Sequence, residues 1–341
     1  MLTSADLKAY ALENGLADKL GVANIERFQG APPDMDPLKI MPRARSVVVF
    51  IKRILRSSYR GIDEGTHWPS YTIFGYQGLN ARLGESAYDL ACFIEDHGYE
   101  AAATAAMATY REAGGPHWAG DASTRTPYVV PHYRIAATLA GLGEIGWSKV
   151  FLTREFGPRQ RIGIVLTEAE LEPDPIVTGE ICDRCGACVR ECPADAIAAE
   201  NSVVLEVEGH RLEWNDLDLG KCKLTHHGLN RCSAPFLIKK YPGLYLPMPE
   251  QEVTWREAWD LGWAVFPSVP AYAFLARWGV PALCGARGCI IACMKHLEKR
   301  GRVENEFNTR PGFSEGEPWR LPAQPEHVEH HGFVCNPEDQ D

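Results

Sequence analysis

Near the middle of the chain, cysteines stand at close and regular intervals, as Cys182, Cys185, Cys188 and Cys192, and Pro193 follows the last of them. This C-x2-C-x2-C-x3-C-P run has the ligand spacing of a [4Fe–4S] cluster, because each iron of the cubane needs one thiolate and a curling loop can wrap three of its corners. A lone Cys-x-x-Cys pair could hold zinc or act as a redox dithiol, but four cysteines at this spacing are hard to obtain by accident. The sequence therefore predicts an iron–sulfur site and a protein that handles electrons.

The last cysteine of this run also predicts a second cluster. In bacterial two-cluster ferredoxins, the cysteine before the proline reaches away to the other cluster. Further along this chain, Cys284, Cys289 and Cys293 form a C-x4-C-x3-C group whose x3 gap repeats the spacing from Cys188 to Cys192. By ferredoxin pseudo-symmetry, we expect Cys293 to cross back and complete the first cluster.

The second cluster then lacks one ligand, for which Cys222 and Cys232 are the candidates. We favour Cys222, because it follows a strand-like stretch and lies where a separated first ligand would enter. The second group departs from the ideal pattern in the four residues after Cys284 and in Met294, where a proline would follow. A three-iron or single-cluster site is therefore the alternative. The predicted ligands are Cys182, Cys185, Cys188 and Cys293 for the first cluster, and Cys192, Cys222, Cys284 and Cys289 for the second.

Composition limits the classes of function. The chain has 341 residues, a formal net charge of -10 and no Lys/Arg-rich run. It is poorly equipped to neutralise a phosphate backbone, so we do not expect a large nucleic acid as a partner. Eleven cysteines, mostly at cluster spacing, need no disulfide framework and indicate a reducing compartment. Because the N-terminus lacks the apolar core of a signal peptide and no apolar stretch is long enough to span a bilayer, we expect a soluble cytoplasmic protein without a membrane partner.

The order of predicted elements divides the chain. A β-branched run at residues 46–54 predicts a buried strand, helical spacing covers 78–97 and 132–140, and another strand begins at Arg161. The adjacent His226 and His227 are expected on a solvated loop. This alternation predicts an α/β (α+β) domain. The predicted parts are that domain at 1–175, a ferredoxin-like two-cluster domain at 176–305 with an insertion at about 200–280, and an extended tail at 306–341.

One segment imitates a dinucleotide-binding fingerprint. Gly141, Gly143 and Gly146 spell G-x-G-x-x-G. The fingerprint requires a strand directly before the glycines and an amphipathic helix directly after them. Here a helix-like stretch precedes the glycines, and the stretch after them is interrupted by Gly157 and Pro158. We therefore do not expect a nicotinamide dinucleotide.

The run AGLGEIGWSKVFLTREFGPRQRIGIVLTEAELEPDP combines an A-G-L-G-x-x-G loop, a T-x-E-x-G-P-R-like turn and a strand ending in T-E, just before the cysteine run. In this order it resembles the core of the epoxyqueuosine reductase and reductive dehalogenase superfamily. The opening helix and the first strand are similar too, and GCIIACMKHLE resembles the second cluster motif of a reductive-dehalogenase-like branch. The resemblance covers most of residues 5–300, and its motifs are specific to the superfamily rather than to one substrate.

The resemblance implies a cobalamin-dependent reductase, in which a corrinoid lies in a nitroreductase-like domain without a protein histidine on cobalt and the clusters deliver electrons to it. The chain contains no D-x-H-x-x-G corrinoid motif, which is consistent with that binding mode. Glycines in the loop would let the backbone approach a large planar cofactor, and a tight turn is the alternative. The implied cofactor-binding residues are Ala140, Gly141, Leu142, Gly143, Glu144, Ile145 and Gly146.

The proton donor is where the chain departs from one branch. Epoxyqueuosine reductases carry an aspartate in a V-D-x-A-P stretch upstream of the glycine loop, whereas this chain has TPYVVPHYR there. Dehalogenases of the family use a tyrosine helped by a basic residue. We therefore expect Tyr128 to donate the proton, with His132 or Arg134 nearby to lower its pKa. The alternative for each residue is a packing role in the core.

Together these features predict an oxidoreductase with two [4Fe–4S] clusters and a cobalamin. It would accept electrons from an external low-potential donor, such as a ferredoxin, a flavodoxin or a reductase, and remove a halide or an oxygen-type leaving group from a small organic substrate. Transfer RNA modification of the epoxyqueuosine reductase type is one alternative. A non-catalytic electron-transfer or cofactor-handling protein of the ferredoxin type is the other.

Overall fold

The computed structural model describes residues 1–33, 35–63, 67, 69–104, 129, 131–227, 252–265 and 282–305. Two segments within them, Tyr71–Tyr76 and Arg287–Ala292, are π-helical, and Ile25–Phe28 and Pro37–Lys39 form 3-10 turns. The strands are β1 (Lys19–Asn24), β2 (Ser46–Arg53), β3 (Ala101–Ala103), β4 (Glu144–Ile145), β5 (Phe151–Leu152), β6 (Gln160–Thr167), β7 (Ser202–Val207) and β8 (His210–Asn215). The α-helices are α1 (Ser4–Glu13), α2 (Arg56–Asp63), α3 (Gln77–Asp96), α4 (Tyr133–Leu139), α5 (Ala187–Arg190), α6 (Leu219–His226), α7 (Trp255–Val265) and α8 (Cys293–Lys299).

A four-stranded sheet in the order β1-β2-β6-β3 forms the centre of the first half. All of its pairs are antiparallel, with Val48 opposite Val165 in the central pair. The β-branched run of β2 is buried on both faces, as its composition predicts: Val49 enters one hydrophobic cluster, and Val48 and Phe50 enter the other. Burying a side chain of this size contributes about 1.5–3 kcal/mol, so this strand anchors the core.

Helices cover both faces of the sheet. On one face, α3 packs Leu83 and Leu90 against Val48, and α1 adds Leu7 beside them. On the other face, α4 contributes Leu139 to the second cluster. These three layers confirm the predicted strand in β2 and the predicted helices in α3 and α4.

The antiparallel pairing identifies the fold class as α+β within the described residues, and the sheets are open. The nitroreductase-like character of this domain and the boundary near residue 175 stay predictions. The linker signal at that boundary packs against the first half, since Asp174 accepts hydrogen bonds from Val22 N at 2.9 Å and from Lys8 Nζ at 2.6 Å.

In the second half, the described part of the predicted insertion begins with the hairpin β7–β8. Leu212 and Trp214 of β8 belong to the same hydrophobic cluster as α4, so the hairpin packs on the first half. Helices α6 and α7 follow, and α8 ends near the last described residues. None of the described helices combines the length and the apolar character that a bilayer crossing requires.

Candidate metal centres

Four cysteines from two distant stretches of sequence meet at one place, here called quartet 1: Cys182, Cys185, Cys188 and Cys293. Their side chains border a common cavity, which Trp147 and His296 also line. Cys182 and Cys293 pack together with Leu152, Ile181, Leu297 and Val303 in a small hydrophobic cluster. Cys293 therefore lies with the first cysteine run, although Cys284 and Cys289 of its own sequence group do not border this cavity.

The thiols of quartet 1 are held in a medium that disfavours charge. Burial, followed by the neighbouring thiols, raises the pKa of Cys188 to about 11 and holds that of Cys293 well above its ordinary value. Four thiols around a cavity fit a [4Fe–4S] cluster, since cluster binding removes their protons and the iron cations offset the negative charge of the thiolates.

Backbone geometry shapes the loop of quartet 1. Gly186 adopts φ 73° before α5, a left-handed conformation that glycine reaches without steric cost. Trp147 N–H donates to Cys182 Sγ at 3.4 Å, and Ala187 N–H donates to Cys185 Sγ at 3.5 Å. Such donors to sulfur are one of the means by which a protein sets a cluster's reduction potential.

Sequence reasoning did not predict the contacts of two acidic groups that hold this loop. Asp183 accepts from His296 Nε2 at 2.9 Å and so ties the cysteine run to α8. Glu144, only 4% exposed, accepts hydrogen bonds from the backbone N–H groups of Glu180, Ile181 and Cys182. The signal for Glu144 was its place in the glycine loop, but its partner could not be read from sequence.

The glycine loop itself is packed within the chain. A methyl group on Gly141 would lie 2.4 Å from the Pro175 carbonyl oxygen, and one on Gly143 would lie 2.0 Å from that of Leu152. Gly146 is similarly close to the Leu152 side chain. Ala140, Leu142 and Ile145 are buried in the hydrophobic cluster of α4. These contacts account for the small residues by close packing, and the corrinoid-binding role of the loop stays a prediction.

A second group, here called quartet 2, consists of Cys192, Cys222, Cys284 and Cys289, whose thiols lie within electrostatic range of one another. Burial raises the pKa of Cys222 to about 12 and that of Cys284 to about 11, and neighbouring thiols add to the effect. The structure thus places Cys222 near Cys192 and Cys284, and its role as a cluster ligand stays a prediction. The other candidate, Cys232, lies outside the described residues.

Quartet 2 depends on an unusual close approach. The π-helical segment Arg287–Ala292 carries Cys289, and a methyl group on its Gly288 would lie 2.6 Å from Cys192 Cα. Only glycine therefore lets this segment pack against the end of the first cysteine run. Ala286 N–H donates to Cys284 Sγ at 3.4 Å, and Ala196 N–H donates to Cys192 Sγ at 3.5 Å.

The expectation that His226 and His227 lie on a solvated loop is wrong. His226 ends α6, and His227 directly follows it and is 1% exposed. Within the described part of the chain, both ring nitrogens of His226 are buried without a hydrogen-bond partner, and burial holds the pKa of His226 well below the ordinary value. Helix α6 faces the hydrophobic interior because its Cys222 belongs to quartet 2 and Leu224 packs inward at 2% exposure.

Aromatic and cationic side chains surround His226. Its ring centroid is 4.9 Å from that of Tyr76, and the Arg161 guanidinium lies 3.9 Å from the centroid of the same tyrosine ring. Arg161 also donates to the Gly75 carbonyl at 3.0 Å. Lys223, 6% exposed, lies 4.4 Å from the Trp259 ring centroid, and burial lowers its pKa to about 7. No sequence motif indicated this group, because its members come from four separate stretches.

The three predicted catalytic residues have different outcomes. Tyr128 lies outside the described residues. His132 precedes α4 and accepts from Ile135 N–H through Nδ1 at 3.3 Å, and burial together with Arg134 lowers its pKa to about 3. Arg134 lies within electrostatic range of Cys222 and Cys289 in quartet 2. Of the two basic candidates, Arg134 therefore carries a charge near neutral pH and His132 does not.

Comparison with known proteins gives one family match, to the 4Fe-4S binding domain over residues 175–198. This range contains the whole cysteine run, which indicates an iron–sulfur cluster as a cofactor. The tetrachloroethene reductive dehalogenase of Dehalobacter restrictus is 33% identical over 198 residues, which are 56% of this chain and 30% of that protein. That of Sulfurospirillum multivorans is 38% identical over 94 residues, 25% of this chain and 18% of that protein. The chain thus spans less than a third of these relatives, and they confirm its resemblance to the superfamily.

Among solved structures, an epoxyqueuosine reductase with a tRNA-Tyr epoxyqueuosine-modified stem loop has a TM-score of 0.45 at 16% identity, covering 86% of this chain and 80% of that one. A catabolic reductive dehalogenase in complex with 3-bromo-4-hydroxybenzoic acid has a TM-score of 0.45 at 18% identity, covering 83% of this chain and 37% of that one. At these TM-scores the superpositions imply nothing about the reaction.

Proposed function

We propose that this protein is an iron–sulfur reductase that uses a corrinoid to remove a halide, or a related leaving group, from a small organic substrate. The observation that carries the proposal is the meeting of eight cysteines in two quartets, in a chain whose sequence relatives are reductive dehalogenases. Each quartet offers the four thiols that one [4Fe–4S] cluster needs.

The two quartets differ in their surroundings, which suggests the direction of electron flow. Quartet 1 is flanked by the exposed side chains of Arg184 and Arg190. The residues next to quartet 2 are buried, with Leu224 at 2% exposure and Leu283 at 1%. Electrons would therefore enter at quartet 1 and leave from quartet 2 toward the substrate.

The surroundings of quartet 2 also fit a bound polar group. The ring nitrogens of His226 are buried and have no hydrogen-bond partner among the residues that the structure describes, which costs free energy unless another group satisfies them. A corrinoid has amide side chains that can donate to or accept from an imidazole, and when bound it supplies a strongly reducing cobalt centre. We assign His226 as a polar contact for that group, with Arg161 and Tyr76 beside it.

For the proton that replaces the leaving group, Tyr128 remains the proposed donor. A nearby cation would stabilise its phenolate and lower its pKa. Arg134 is the better candidate for that cation, because His132 is neutral near pH 7 and already caps a helix through Nδ1. Tyr128→Phe should abolish turnover while both clusters assemble; full turnover would contradict this role.

The test is anaerobic reconstitution with iron, sulfide and cobalamin, followed by assays with halogenated aromatics and with an epoxyqueuosine stem loop. We expect about eight irons per chain, a cobalamin absorption spectrum that stays with the protein, and halide release. His226→Phe should weaken cobalamin binding with iron content unchanged, whereas His97→Phe, which changes an exposed histidine, should not. Full iron loading without affinity for cobalamin would instead favour an electron-transfer protein. Turnover of the stem loop alone would favour the tRNA-modifying alternative.

A further inference from the structure

Four exposed cations lie on, or directly after, the two short helices that carry Cys188 and Cys293 of quartet 1, in a chain that is acidic as a whole. They are Arg190 on α5, Lys295 and Lys299 on α8, and Arg300 just after α8, and they are called here the basic surface. From Cys284 to Arg302 inclusive, the sequence contains five lysines and arginines and a single acid, whereas the whole chain carries a net charge of -10. That acid, Glu298, is 2% exposed and so does not offset the charge at the surface.

The basic surface lies on the same elements as the quartet. Arg190 Nη1 donates to the Cys185 carbonyl at 3.1 Å, and a methyl group on Gly186 would lie 2.9 Å from the same nitrogen. Lys295 and Lys299 are four residues apart on α8, so they lie on one side of the helix that begins with Cys293. His296, between them, lines the cavity of quartet 1.

Among the described residues, these cations are not used for internal ion pairs. Within the described part of the chain, none of the four forms a salt bridge, while the neighbouring Arg154 is paired with Glu180 and Arg184 with Glu213. Of the acids in and just after the cysteine run, Asp183 is bound to His296, whereas Asp195 is exposed. Glu191 is exposed next to Arg190 and offsets part of its charge.

We propose that the basic surface is the docking site of a small acidic electron-donor protein of the flavodoxin type, which passes one electron to the cluster of quartet 1. This inference rests on the proposed function and specifies its partner. The donor loses one electron and the cluster gains it, so no bond forms or breaks. Opposite charges steer such encounters and raise association rates, by 10- to 1,000-fold in favourable cases.

The experiment mixes reduced flavodoxin with reconstituted protein in a stopped-flow instrument and follows bleaching of the iron–sulfur absorption. Lys295→Glu/Lys299→Glu should lower the second-order rate constant about ten-fold or more at low ionic strength, and the difference should shrink as salt is added. The matched control is Lys39→Glu/Arg82→Glu, which makes the same change in net charge at exposed residues outside the basic surface. Its rate constant should stay within about two-fold of the wild type, since distant charges are screened.

Iron content and cluster EPR spectra are measured first for every variant. Wild-type chains that assemble no clusters would refute the proposed function, whereas intact clusters with equal rates in the two double variants would refute only the docking site. Photoreduction by a neutral deazaflavin should proceed equally in all of them. If Lys295→Glu/Lys299→Glu fails to fold, Lys295→Gln/Lys299→Gln removes the charges without reversing them and should lower the rate in the same direction.

Discussion

Glu144 Oε1 accepts the backbone N–H of Cys182 at 2.6 Å. This buried carboxylate also accepts hydrogen bonds from the backbone N–H groups of Glu180 and Ile181. One side chain of the glycine loop therefore holds the backbone that leads into quartet 1. A carboxylate can accept several hydrogen bonds at once, and charge-assisted bonds of this kind are stronger than neutral ones. The hydrogen bonds of Glu144 therefore link the glycine loop to the start of the cysteine run.

Glu144→Ala should loosen quartet 1. It leaves three backbone donors without their acceptor, at a cost of about 1–3 kcal/mol for each group that stays buried. We expect a lower urea midpoint and a loss of iron from one cluster during reconstitution. Glu85→Ala, which removes an exposed glutamate of α3, is the control and should change neither quantity. Wild-type iron content in Glu144→Ala would show that the loop holds its shape without the carboxylate.

Single cysteine substitutions should impair the two proposed clusters independently of each other. Cys293→Ala should impair the cluster of Cys182, Cys185 and Cys188, whereas Cys289→Ala, only four positions away, should impair the other. Each variant should lose up to about four irons per chain and one of two sets of EPR signals. Cys92→Ala lies outside both quartets and should retain the full iron content. If both variants lost the same set of EPR signals, Cys293 would not belong to the cluster of Cys182, Cys185 and Cys188.

Acid should destabilise the protein through His132. Burial lowers its folded-state pKa to about 3, so between about pH 6.5 and pH 3 the unfolded chain binds a proton that the folded chain does not. Stability from this group is fully present above pH 6.5 and is lost as the pH falls. His132→Asn keeps a helix-capping acceptor and cannot titrate. The drop in unfolding free energy from pH 7 to pH 5, measured in urea, should be smaller in the variant by about 1–2 kcal/mol; equal drops would count against a neutral, buried His132.

Two glycines in α3 should respond in opposite directions to alanine. A methyl group on Gly78 would lie 2.0 Å from the Ile73 carbonyl oxygen, in the π-helical turn that positions Tyr76. Around Gly84 nothing lies within 4 Å of such a methyl group. We therefore expect Gly78→Ala to lower the melting temperature, and Gly84→Ala to raise the free energy of unfolding by up to about 1 kcal/mol. Destabilisation by both would mean that the space around Gly84 is not open.

Several helices and strands could be predicted from the sequence because their patterns lie within short stretches of chain. The β-branched run of β2 and the helical spacing of α3 each lie within one stretch of chain, and the structure confirms both elements. The strand order and the antiparallel pairing of the sheet could not be predicted from the sequence, since they depend on which of several compatible strands pair. The short spacing around Cys182, Cys185 and Cys188 likewise predicted a ligand loop before any fold was known.

By itself, the sequence determined the chemistry of the site: thiolates at cluster spacing, and a later group of cysteines to match. The tertiary structure alone decided what surrounds them. Glu144 meets Cys182, and His226 is buried beside Tyr76, only because segments far apart in the chain pack together. The physical reason is that ligand spacing depends on a few consecutive residues, whereas burial and hydrogen-bond partners depend on the packing of segments that are far apart in the chain.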